Sequence, residues 1–264
     1  MMRLISYRTK DDFKLTTFND ESLPPYAILS HTWADSQEEV TYGELVSGMG
    51  KEKAGYAKLR FCGERAAKDG LKYFWVDTCC INKATSDELG TAINSMFRWY
   101  QRAAKCYVFL SDVAVPDNVA DPQLYRITWE NAFRKSRWFT RGWTLQELLA
   151  PASVEFFSKE GRPLGSKISL EQEVHETTQI PLEVLRGQRL SEISVDERMS
   201  WAVRRKTTIK EDKAYCLLGI FGVFMPLIYG EGEDHALLRL KEEIQKLVAR
   251  DRQGSGDAHN TAST

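Results

Sequence analysis

Four short apolar runs, separated by stretches with helical patterning, constrain this chain more than any other feature. YAILS (Tyr26 to Ser30) is almost continuously apolar, as in a strand buried on both faces. YFWVD (Tyr73 to Asp77), CYVFLS (Cys106 to Ser111) and SVEFFS (Ser153 to Ser158) repeat the theme. Between the first two, YAKLRFCGERAAKDG places Tyr56, Leu59 and Cys62 at helical spacing and stops at Gly70. After the second, Thr85 to Glu88 has the spacing of a capping box, and Leu89, Ile93, Met96 and Tyr100 form one apolar stripe. WTLQELL (Trp143 to Leu149) precedes the fourth run and ends before Pro151. Strand and helix in alternation imply βαβ units: an α/β fold with a mostly parallel sheet and helices on both faces.

The flanks are different. RLISY and FKLTTF alternate around a turn-like RTKDD, so residues 1–25 read as a hairpin covering a sheet edge, ahead of an α/β core at 26–165. The stretch from Val113 to Phe133, with two prolines, reads as an insertion. Residues 166–249 form a helical C-terminal part. In it Ser194 to Glu197 is a second capping box, a bend is expected at Gly222, and Leu237, Leu240, Ile244 and Leu247 share a helix face. Residues 250–264 lack apolar periodicity and read as a disordered tail or linker.

In such sheets ligands sit beyond the carboxyl ends of the strands. Those ends read Ser30-His31-Thr32-Trp33, Asp77-Thr78-Cys79-Cys80, Ser111-Asp112 and Ser158, which makes a polar rim. Glu147 starts a helix at this rim. Helical projection sets Leu145, Leu148 and Leu149 on one side and Trp143, Gln146 and Glu147 on the other. Either protein or a ligand must cover that second face. A lone carboxylate facing an open cavity suits cleavage of an N-glycosidic bond with a neutral nicotinamide leaving group, since no general acid is then needed; O-glycosides usually need two carboxylates. An aromatic such as Trp143 beside it would stack on a ring and raise the acid's pKa. The structural alternative packs Trp143 under the insertion and pairs Glu147 with Arg137 or Arg141.

Other features point to less. His31 with Cys79 or Cys80 invites a thiol nucleophile, but free cysteines are commonly buried. Adjacent cysteines lack metal-ligand spacing, so no metal is expected. YGEGED has no phosphate-loop lysine and reads as a turn and cap. Arg204, Arg205, Lys206, Lys210 and Lys213 read as a solvated basic face. A net charge of −1 gives no field for nucleic acid, and no apolar run is long enough for a membrane span. Five unpatterned cysteines and an N-terminus without a signal core point to reduced thiols in a cytoplasmic protein.

YAILSHTW, YFWVDTCCINK, AINSMFRWYQRAAKCYVFLSD, SRWFTRGWTLQELLAP and EDKAYCLLGIFGVFMPLIYGEGEDHALLRLKEEI resemble successive blocks of the fungal heterokaryon incompatibility (HET) domain. That resemblance implies an effector of non-self recognition that triggers regulated cell death, often placed ahead of a nucleotide-binding receptor region. SRWFTRGWTLQEL is also distantly similar to the motif of TIR domains, whose glutamate is catalytic in those that hydrolyse NAD. The likeness implies a flavodoxin-like, TIR-related sheet, Glu147 as the catalytic carboxylate, NAD as substrate rather than cofactor, and self-association to complete the site. His31, Thr32, Trp33, Asp77 and Trp143 are then its substrate-binding groups. The motif's cysteine is Thr144 here, and the insertion and C-terminal part have no TIR counterpart. The competing class is a non-enzymatic module that signals through protein contacts.

Overall fold

The computed structural model describes residues 1–9, 12–35, 37–117 and 121–260. Its centre is a seven-stranded sheet. The strands are β1 (Met2–Thr9), β2 (Asp12–Phe18), β3 (Tyr26–His31), β4 (Tyr73–Trp75), β5 (Lys105–Phe109), β6 (Val154–Phe157) and β7 (Pro163–Ser166), in the spatial order β2-β1-β4-β3-β5-β6-β7. The inner pairs β4–β3, β3–β5 and β5–β6 are parallel; β2–β1, β1–β4 and β6–β7 are antiparallel. The hairpin therefore does extend a sheet edge, with Ile5 opposite Phe74. The four parallel strands have a doubly wound order, with the first of them in the chain, β3, lying inside. The order reverses between β3 and β5, where Ile28 pairs with Cys106 and His31 with Phe109.

Every residue of β3 is buried, as its unbroken apolar run requires. Alternate side chains then serve opposite faces. Tyr26 Oη donates to the carbonyl of Trp99 (2.5 Å), and Ser30 reaches Glu147, so Tyr26, Ile28 and Ser30 face the helices Ser86–Arg102 and Thr144–Leu149. His31 bonds Lys58, so Ala27, Leu29 and His31 face the helix Tyr56–Lys68. Helices thus cover both faces of the sheet centre.

Three local expectations are corrected. Thr85 makes no side-chain cap; Glu88 instead accepts from Arg3 and from the Asn82 amide (2.6 Å). The insertion carries a helix, Pro122–Arg134, capped by Asp121 with Pro122 in its first turn. The basic segment is not a solvated face throughout: Arg205 is buried, and Arg141 bridges in parallel to Lys206. At Ser194 the side chain caps by accepting from the Glu197 amide (3.2 Å), and Gly222 ends the helix Leu218–Phe221 at φ 69°. The last helix is Glu233–Asn260, so the polar stretch from Arg250 is helical as far as Asn260; residues 261–264 lie outside the described residues.

Candidate functional site

Ser30 and His31 are consecutive, so the end of β3 serves two clusters on opposite sides of the sheet. On one side, the helix Thr144–Leu149 sits against β3, buried from Thr144 to Leu148. Gly142 lets it dock, since a Cβ there would lie 2.6 Å from Thr207 Cγ2 and 3.0 Å from Cys216 Sγ. Glu147 is 7% exposed. Trp138 Nε1 donates to Ser30 Oγ (2.8 Å), and Ser30 Oγ donates to Glu147 Oε2. Tyr100 Oη donates to the Leu29 carbonyl (3.0 Å).

Burial pushes the Glu147 carboxyl up to about 8, with the Ser30 and Tyr100 hydroxyls pulling against it and the charge of Asp77 adding to it. Arg205 is buried nearby without a carboxylate hydrogen bond. Its Nη1 donates to the Arg141 carbonyl and Thr144 Oγ1 (both 3.0 Å), and burial lowers it to about 10.

On the other side, His31, Trp33 and Asp77 meet. Lys58 Nζ lies 3.0 Å from His31 Nδ1 and donates to the Thr32 carbonyl (3.2 Å) and to Glu39. An ammonium can only donate, so Nδ1 accepts and Nε2–H donates to Asp77 Oδ1 (3.0 Å). Trp33 Nε1 donates to Asp77 Oδ2 (2.9 Å), and the indole, 51% exposed, stacks under Lys83 Nζ at 3.7 Å. Burial pulls the Asp77 carboxyl up, but Lys83 and the His31 and Trp33 hydrogen bonds outweigh it and hold the group below the usual carboxylate range. Thr32 and Ser111 face each other across the reversal point at 3.4 Å.

Two expectations fail here. Glu147 does not face an open cavity; it is buried, and its Oε2 accepts from Ser30. Nor does Trp143 stand beside its carboxylate. The indole donates to Asp212 Oδ2 (2.9 Å) while Asp212 Oδ1 accepts from Tyr229 (3.0 Å), so protein from the C-terminal part covers Trp143. The structural alternative is also wrong in detail: Arg141 donates to Thr208 (2.8 Å), and Arg137 is set against Asp112 (3.8 Å). Among the described residues the thiol reading finds no base bonded to either cysteine. Cys79 Sγ donates to the Val40 carbonyl (3.1 Å), and burial pushes its thiol up to about 12. The YGEGE amides are already used, with Gly230 and Gly232 both donating to Glu211 (2.8 and 2.9 Å). Tyr100, Trp138, Lys58 and Arg205 were not singled out from sequence for this rim; Ser30, quoted as a strand end, was the one visible signal.

The family described as heterokaryon incompatibility protein (HET) matches residues 26–127. The chain is also 58% identical over 224 residues to the vegetative incompatibility protein HET-E-1 of Podospora anserina, a match covering 85% of this chain and 16% of that protein. Residues 26–127 carry a HET domain. The Podospora protein is much longer than the region shared with this HET domain. No solved structure matches the chain. Among the described residues, no helix is long and apolar enough to cross a membrane.

Proposed function

We propose that this HET domain is a cytoplasmic effector of heterokaryon incompatibility that triggers regulated cell death. Its output is NAD glycohydrolysis at Glu147, switched on when association opens the rim. The observation that carries this is a carboxyl buried at the carboxyl end of a parallel sheet, beside the strand-order reversal, with no salt bridge among the described residues. As it stands the group is closed off and in the wrong protonation state, because stabilising a ribosyl cation needs a carboxylate. One event corrects both. Exposure returns the acid toward its ordinary 4.5, so it ionises at neutral pH as it becomes accessible. Nicotinamide leaves as a neutral ring, and the carboxylate stabilises the oxocarbenium character and orients the attacking water. Thr32, Trp33, Asp77 and His31, which lie across the end of β3 from Glu147, would form the far wall once the rim has opened, and Trp143 is the joint to the C-terminal part. The similarity to one segment of a longer protein supports a further region, such as a nucleotide-binding receptor, that would drive self-association.

The burial of Glu147 also favours a second reading, in which the acid is structural and the domain signals through exposed apolar side chains such as Val203, Phe224 and Ile228. A cell experiment separates the two. The chain, fused to an inducible dimeriser, is expressed in fungal cells, and viability and cellular NAD are followed. Loss of both with wild type and neither with Glu147→Gln supports the glycohydrolase. Death at constant NAD establishes the second reading.

A further inference from the structure

A cavity of about 660 Å³ opens where the segment after Glu147's helix meets the C-terminal part, a size suited to a small ligand. Its chemistry is one-sided. Lys167, Arg186, Arg189 and Arg198 line it, and no aspartate or glutamate does. Arg186 is engaged by Glu171 outside the cavity (2.6 Å). The other three have no carboxylate partner among the described residues. Lys167 is 5% exposed, and its ammonium donates to the carbonyls of Leu148 (3.3 Å) and Pro151 (2.9 Å). Arg198 is 9% exposed; Nη1 donates to the Ile220 carbonyl (3.0 Å), while Nε is buried without any hydrogen-bond partner. Buried cations without a counter-charge are costly, and burial pulls both groups down from their ordinary values. The rest of the wall is largely apolar, with Gln101, Gln188 and Ser191 as its polar members and the Phe221 ring 4.7 Å from the Arg198 guanidinium.

We infer that this cavity binds an organic phosphate monoester, its phosphate held by Lys167, Arg189 and Arg198 and its body laid on Phe221 and its apolar neighbours. Three cations without a carboxylate partner among the described residues match a dianion better than a single carboxylate, and arginine forks suit phosphate oxygens. The site is separate from the Glu147 rim and stands or falls independently of any catalysis there. It is nonetheless connected to it. Leu149 belongs to Glu147's helix and Phe97 to the helix carrying Tyr100, and both line the cavity. An occupant would brace the two helices that hold the buried acid.

The test is calorimetric titration of the 264-residue chain, in a buffer free of phosphate, with adenosine monophosphate, octyl phosphate and inorganic phosphate. At least one ester binds, and more tightly than inorganic phosphate. Preference for the nucleotide or for the alkyl ester identifies the source of the phosphate. Arg198→Met and Lys167→Met weaken binding about tenfold or more, as loss of a charge-assisted hydrogen bond requires. Arg189→Ala, at an exposed position that folding tolerates, weakens it several-fold, and exposed Arg204→Gln leaves it unchanged. Failure of both esters to bind at millimolar concentration overturns the inference. So does affinity that is unaltered in Arg189→Ala and in whichever buried-cation variant folds.

Discussion

Replacing Glu147 by Gln should stabilise the resting domain, and by an amount that grows with pH. In the folded chain burial raises the carboxyl from its ordinary 4.5 to about 8, so the native state holds this proton more tightly than the unfolded chain does. The corresponding stability is complete below pH 4.5, falls as the pH rises toward 8, and is gone above it. At about 1.4 kcal/mol per pH unit, the loss is about 3 kcal/mol at pH 7 and about 5 kcal/mol above pH 8. These are order-of-magnitude figures, yet large beside the roughly 5–15 kcal/mol that holds a domain together. Glutamine keeps the shape and an acceptor for Ser30 but does not titrate. Urea unfolding of both proteins from pH 5 to pH 9 isolates this group, because every other titration cancels in the difference. The stability of Glu147→Gln relative to wild type should rise by about 4 kcal/mol across that range. A difference that stays within about 1 kcal/mol throughout would refute a neutral, desolvated Glu147. A variant both more stable and inactive is what a stored, strained catalytic group produces.

Asp77→Asn should act with the opposite sign. The carboxylate is held below its ordinary range, so its stabilisation is present above about pH 4 and lost as the pH falls below that; unfolding titrations should show a deficit of about 2 kcal/mol at pH 7 that shrinks toward pH 3. Thr85→Ala should change stability by less than about 0.5 kcal/mol, since no cap is lost, whereas Glu88→Ala should cost about 1 kcal/mol by releasing Arg3 and the Asn82 amide. Gly219→Ala would set a methyl 2.0 Å from Phe97 Cβ and should cost about 3 kcal/mol, read as a lowered urea midpoint.

The parallel sheet was legible because its strands are buried on both faces, and that leaves an unbroken apolar signature in β3. The strand β7 was not, because PLGS is short and its Pro and Gly imitate a loop. The helix Pro122–Arg134 hid for a related reason: a proline that opens a helix is easily taken for one that breaks it. At Thr85 the spacing was right, but Arg3, far away in the chain, claims Glu88. The candidate site failed in the same way. Projection correctly separates Trp143 and Glu147 from the docking leucines, but cannot say that each has its own cover, Asp212 for one and Ser30 for the other. Local periodicity shows which faces need partners. Which partners arrive depends on long-range packing that leaves no periodic trace.

Nicotinamide release by the purified, clustered chain is the most direct measurement. The monomer and a form held together by a fused dimeriser are incubated with NAD at pH 7, and free nicotinamide is followed for wild type, Glu147→Gln and Cys79→Ala. The expected result is release by clustered wild type and clustered Cys79→Ala, with none from the monomer or from Glu147→Gln. Release that persists in Glu147→Gln, or its absence from clustered wild type, would contradict a glycohydrolase built on this buried acid.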